Sequence, residues 1–75
     1  MSDWYVRRVD EARARSENLG MEAWRAYLET GSMREAARRV GVHEITIRKR
    51  IAVLRDIHNV RTNAQLADVL ARTFV

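Results

Sequence analysis

The sequence predicts an all-α protein, a small helical bundle of about five helices. Three observations carry that reading. The chain has no proline and only three glycines in 75 residues, so few positions oppose helix. Its apolar residues recur three and four apart rather than alternately, the period of a helix with one buried side. Two segments, "SMRE" at residues 32–35 and "TNAQ" at residues 62–65, are capping boxes, in which a hydroxyl and a Glu or Gln three residues on satisfy each other's backbone N–H groups at a helix start.

The elements follow in order. Ser2 or Asp3 can cap a first helix running to about Asn18, with a thin apolar stripe of Tyr5, Val9, Ala12 and Leu19 interrupted by Ser16. Gly20 is expected to break it. A second helix then covers about Met21 to Thr30 with Ala23, Trp24, Tyr27 and Leu28 inward, and Gly31 ends it as a left-handed cap. The Ser32 box opens a short third helix to about Val40, with Ala36, Ala37 and Val40 inward. Gly41 makes a turn, and a longer helix spans about Glu44 to His58. The Thr62 box opens a last helix to about Thr73, with Leu66, Ala67, Leu70 and Phe74 inward. With 47% hydrophobic residues, one core and one domain over residues 1–75 are expected: an extra N-terminal helix (1–19), a central unit (21–58) and a C-terminal helix (62–74).

Charge is distributed unevenly. Residues 1–31 carry five arginines against six acids, a net of −1; residues 32–61 carry seven arginines and Lys49 against three acids, a net of +5; the last fourteen are neutral. Positive charge gathered on one third of a chain is the footprint expected of a nucleic-acid contact.

That basic third also holds a short helix, a three-residue turn beginning with glycine, and a longer helix. This is the helix-turn-helix pattern, whose second helix enters the major groove. Ala36 and Ala37 are small enough for the two helices to cross closely. Gly41 permits a positive φ, and Val42 fills the angle between them. At about 100° per residue, Ile47, Ile51, Leu54 and His58 share one narrow arc, which makes them the inward seam. Ile45 lies about 160° away, on the arc of Arg48, Lys49, Ala52 and Asp56. An outward Ile45 suits a thymine methyl group, and Glu44 suits either the helix macrodipole or a cytosine amine. Glu44, Ile45, Arg48 and Lys49 are the expected base-reading residues, with Arg48 directed to guanine. Ser32, Arg38, Arg39, His43, Thr46 and Arg50 flank them and suit phosphate oxygens, which fix docking rather than sequence.

At these residues the chain resembles a known group. "AYLETGSMREAARRVGVHEITIRKRIAVLRD", residues 26–56, is similar to the C-terminal helix-turn-helix of the PucR/CdaR bacterial regulators. The similarity rests on Ala26-Tyr27-Leu28-Glu29, Gly31-Ser32, Ala36-Ala37-Arg38, His43, Thr46, Arg48, Arg50 and Ile51. The tail from Ile51 through "VRTNAQLADVL" looks more like the LuxR/NarL-type domain, whose closing helix often mediates dimerisation. The resemblance implies sequence-specific binding of double-stranded DNA and a transcriptional role; the small size and basic charge fit a phage protein as well as a bacterial one. The group commonly has His-Arg-Asn-Thr where this chain has His43-Glu44-Ile45-Thr46. Its site preference therefore does not carry over.

Other functions are argued against by inventory. The chain has no cysteine, so neither a disulfide framework nor a zinc finger is available. His43 and His58 stand fifteen apart with no nucleophile or carboxylate set beside them, and neither shares a metal-ligand spacing with an acid. The three glycines are isolated, so there is no phosphate loop. No enzyme activity, metal or cofactor is expected. The longest apolar run, Ile51 to Leu54, is far short of a membrane span, and no signal-peptide segment is present. A cytoplasmic, nucleoid-associated protein is expected, without a sensing or receiver domain in these 75 residues. The expected partners are duplex DNA and a second copy of the chain, with a larger regulator or RNA polymerase as a further one. Two alternatives stand beside this reading. One is a helical protein-interaction module, an anti-activator or partner of a larger regulator, using Trp4, Val6 and the Val53, Ile57, Val60 stripe. The other is an accessory factor for excision or recombination.

Overall fold

The computed structural model describes residues 2–73, with backbone only for residues 2–5. The side chains of Tyr5 and Phe74, expected inward, and those of Ser2, Asp3 and Trp4 lie outside the described residues. The described chain is all-helical: α1 (Ser2–Thr30), α2 (Met33–Val40), α3 (Glu44–Ile57) and α4 (Asn63–Thr73). Four helices stand where five were expected, because the first two are one.

Gly20 is the reason. It sits inside α1 rather than between two helices, and it is buried. A Cβ at this position would lie 2.9 Å from Leu54 Cβ and 3.1 Å from the Arg50 carbonyl oxygen. The glycine thus lets the backbone of α1 approach α3 at contact distance. Glycine costs a helix interior about 1 kcal/mol relative to alanine, and close packing against Leu54 offsets it. On either side stand good helix formers, Ala12, Ala14 and Arg15 before and Met21, Glu22 and Ala23 after, so the helix propagates through a single unfavourable residue.

The other ends are set by capping chemistry. Gly31 has φ +80° and donates to Tyr27 O at 2.8 Å, the left-handed stop expected of it. The Ser32 hydroxyl accepts from the Glu35 N–H at 3.0 Å, which is one half of the capping box. The Glu35 carboxylate points along the helix instead, 3.7 Å from Arg38. At α4 both halves form: Gln65 N–H donates to Thr62 Oγ1 at 3.1 Å, and Gln65 Oε1 accepts from Thr62 N–H at 3.2 Å and Arg61 N–H at 2.8 Å. The end of α3 has no glycine, so Asn59 takes the left-handed conformation with φ +56°. Asn59 N–H donates to Asp56 O at 3.1 Å and Val60 N–H to Arg55 O at 3.0 Å, the paired bonds of a Schellman stop.

The core draws on all four helices. Ala23, Trp24 and Ala26 come from α1, Ala36 and Ala37 from α2, Ile47, Ile51 and Leu54 from α3, and Leu66 and Leu70 from α4. Small residues on α1 and α2 let three helices meet closely, and the branched side chains of α3 fill the centre. Burial of each large aliphatic residue contributes about 1.5–3 kcal/mol. Val40, Val42 and Val60 pack on this core from its edge. Val42 is half-buried in the turn, as the angle between α2 and α3 requires.

Three inward assignments are corrected: Leu28, Ala67 and the stripe on the first half of α1. Leu28 is 60% exposed. It lies about 100° round the helix from Tyr27, off the arc that faces α2 and α3. On the neighbouring side of α4 stand Ala67, Leu70 and Ala71, and Leu70 is drawn down into the core. Ala67, expected inward, is itself exposed, and the two alanine methyl groups are too short to close over Leu28. An open apolar groove results.

The stripe on the first half of α1 is not packed within the chain either. Residues 6–15 are all exposed, and Val9 and Leu19 retain 49% and 42% of their surface. A helix of 29 residues is about 43 Å long, close to the 45 Å longest dimension of the molecule. At about half that length, α3 can support only part of it. No described helix is long and apolar enough to cross a membrane.

Candidate nucleic-acid interface

The connection from α2 to α3 is three residues long, and each does one job. Gly41 has φ +85° and ψ +33°, and its N–H donates to Ala37 O at 2.9 Å. Val42 turns into the core. His43 is extended (φ −73°, ψ 151°) and accepts from Thr46 N–H at 2.9 Å through its carbonyl, starting α3. The His43 imidazole makes no capping bond and is exposed, available to a ligand.

The first turns of α3 divide sharply. Ile47 is fully buried, and Ile51 and Leu54 line up beneath it. Ile45 keeps 58% of its surface in solvent, and Glu44, Arg48 and Lys49 are exposed beside it. All four expected base-reading residues therefore share one accessible face. The face is not charge-free at rest: Arg48 Nη2 donates to Glu44 Oε1 at 3.1 Å, one helical turn apart. An exposed pair of this kind is worth about 0.3–0.5 kcal/mol. A bidentate contact to a base or a phosphate can displace it at little cost. Glu44 in turn lies in the first turn of α3, where its charge is favourable to the helix N-terminus.

The expected phosphate-contacting residues fall into two groups. Arg38, Arg39 and His43 are exposed, while Ser32, Thr46 and Arg50 are half-buried. Arg38 neighbours Glu35, and Arg39 donates to Glu29 at the end of α1. Both arginines occupy the last turn of α2, where cations also complement the helix dipole. Ser32 Oγ is committed as the α2 cap, with its hydroxyl proton still free to donate. Of the remaining cations in this segment, Arg55 bonds Asn63 Oδ1 at 2.5 Å and so fastens the start of α4 to α3.

Thr46 and Arg50 do not simply flank the outward face. With Lys49 and Val53 they line a small apolar groove whose other wall is Ser16 and Leu19 of α1. A first helix ending near Asn18 would leave this wall unformed, whereas α1 continues to Thr30. The signal was present in Gly20, whose missing side chain brings α1 onto α3 one turn further along. A second, open groove lies between α1 and α2, lined by Glu17, Glu22, Arg25 and Glu29 of α1 and by Arg39 of α2, which bonds Glu29. The acidic side of α1 thus turns toward α2 and the apolar side toward α3.

His58 caps α3 at its C-terminus, its backbone N–H donating to Leu54 O at 3.1 Å. Its ring is half-buried, and Nε2 is enclosed without a hydrogen-bond partner. Ile57 and Val60 are half-buried, leaving Val53 as the exposed member of that stripe. Among the described residues no three His, Cys, Asp or Glu side chains gather as a metal would require. Comparison with protein-family models, with curated proteins and with solved structures gives no match to this chain.

Proposed function

We propose that the protein binds double-stranded DNA sequence-specifically, with α2 and α3 acting as a helix-turn-helix and α3 entering the major groove. One observation carries the reading. The exposed side of the first turns of α3 presents Ile45, Arg48 and Lys49 together, while the opposite side is anchored by the fully buried Ile47 and Ile51. A rigid helix showing an apolar group and two cations can read base edges. Arg38, Arg39, His43 and Arg50 then supply the phosphate contacts that set its docking. The basic balance of residues 32–61, at +5, supports the same partner. In this reading the chain is a small bacterial or phage transcription regulator working in the cytoplasm. It acts as a dimer whose second copy covers the exposed Leu28, Ala67 and Ala71 between α1 and α4.

The test is retention of duplexes selected from a random pool. Arg48→Ala with Lys49→Ala should abolish specific retention and leave the melting temperature unchanged, because both side chains are exposed. Affinity of the wild-type chain should fall steeply with salt. A logarithmic slope near −0.9 per neutralised phosphate is expected, about −3 for the three arginines among the phosphate-contacting residues above. Retention by the double variant at the wild-type level would remove α3 from the interface.

A protein-interaction role is the second reading, favoured by the exposed Val6, Val9 and Leu19 of α1. A flat salt response would point to it.

A further inference from the structure

The first half of α1 has an order that DNA binding by α3 does not use. Val9, Ala12, Ser16 and Leu19 follow one another at spacings of three and four, the a and d positions of a heptad. None is fully buried, and the two large ones are about half exposed. Arg8, Arg13 and Arg15 lie within about 80° of the centre of this stripe, and Asp10, Glu11 and Glu17 lie about 120–140° from it at 100° per residue. The acids are thus on the back, and every charged residue at the flanking e and g positions of residues 8–19 is an arginine. The stripe then runs into the groove where Leu19 and Ser16 meet Val53, Thr46, Lys49 and Arg50 of α3. Apolar surface and flanking cations are therefore continuous from α1 onto α3.

A second copy of the chain fits this surface poorly. In a parallel pair Arg8 would face Arg13 of the other copy, and in an antiparallel pair arginine would again meet arginine, since flanking charges select the partner in helix pairs. A helix with apolar residues at its seam and glutamates beside it meets both requirements.

We propose that the first half of α1 and the α1–α3 groove receive an acidic amphipathic helix of another protein, and that this helix and DNA exclude one another. The exclusion rests on the DNA reading: the helix covers Lys49 and Arg50, which that reading assigns to bases and phosphates. The seat itself does not depend on it. Docking would then lift the protein from its operator without any conformational change in α3.

The experiment uses a labelled synthetic peptide of about four heptads, with Leu at a and d and Glu at e and g, and a counterpart with Lys in place of Glu. Fluorescence anisotropy with the full chain should show the Glu peptide bound at least tenfold more tightly. Equal binding, or none, overturns the seat. Val9→Asp with Ala12→Asp should weaken the Glu peptide at least tenfold with unchanged helicity and duplex retention. If it lowers duplex retention instead, the stripe serves DNA. If it converts a sedimenting dimer to a monomer, the occupant is a second copy. Either result refutes the proposal. Arg13→Glu with Arg15→Glu should reverse the preference toward the Lys peptide, and an unchanged preference refutes the role of the flanking charges.

In the last arm, saturating Glu peptide should displace bound duplex, and a ternary complex would refute the exclusion. If no duplex is retained at all, the DNA reading and the exclusion fall, and the peptide arms still decide the seat.

Discussion

Replacing Gly20 with alanine tests the close approach that joins α1 to α3. Two opposed effects are involved, and the structure decides between them. Alanine is the better helix former by about 1 kcal/mol, so at a solvent-facing glycine or a flexible break it would stabilise the protein. At Gly20 the added methyl group would lie 2.9 Å from Leu54 Cβ, 3.1 Å from the Arg50 carbonyl oxygen and 3.3 Å from Leu54 Cδ1. The first is a Cβ bonded directly to the backbone and the second is backbone, and neither can rotate aside. The helices must therefore separate, and overpacking of a well-filled core costs about 1–3 kcal/mol. The net expectation is a loss of up to about 2 kcal/mol. Each kcal/mol lost lowers the melting temperature by about 4–8 °C in a domain of this size. Gly20→Val should lose more than Gly20→Ala. Thermal and urea unfolding followed by circular dichroism would measure both. A rise in melting temperature for Gly20→Ala would show that α1 and α3 do not touch there, and would restore the break expected from the sequence.

Two further substitutions follow from the same geometry. Ile47→Ala should cost about 2–5 kcal/mol, as truncation of a fully buried aliphatic residue does. Ile45→Ala should stay within about 0.5 kcal/mol of wild type and reveal itself in duplex selectivity instead; equal destabilisation by the two would refute the division between them. Thr62→Ala removes the oxygen that accepts from Gln65 N–H and should cost about 1 kcal/mol, measured by urea unfolding. Unchanged stability would mean that α4 is held by Leu66 and Leu70 alone.

Much of the helical plan was legible because it is written in local chemistry. The Ser32 and Thr62 caps, the left-handed glycines at 31 and 41, and the seam of Ile47, Ile51 and Leu54 each depend on residues within a turn or two. Features that depend on a distant neighbour are not legible in this way. Spacing alone places Leu28 inward, but its burial needs a large side chain of α4 above it; there Leu70 is committed to the core and the rest are alanines. Gly20 looked like a stop because an isolated glycine is ambiguous within its own helix. Only Leu54 and Arg50, some thirty residues on, give it a packing role. Thr46 and Arg50 looked like simple rim residues for the same reason, since the wall they share with Leu19 belongs to another helix.

By itself, then, the sequence determined that the chain is helical, where three of its helices begin and end, and which of two isoleucines on α3 is held by the core. Those are consequences of backbone capping and of a 3.6-residue period, which act over a few residues. The tertiary structure decided that α1 is one helix, that half of its apolar stripe is left open, and that this stripe meets α3 beside Lys49. These depend on the distance between helix axes, and a missing Cβ at Gly20 sets that distance.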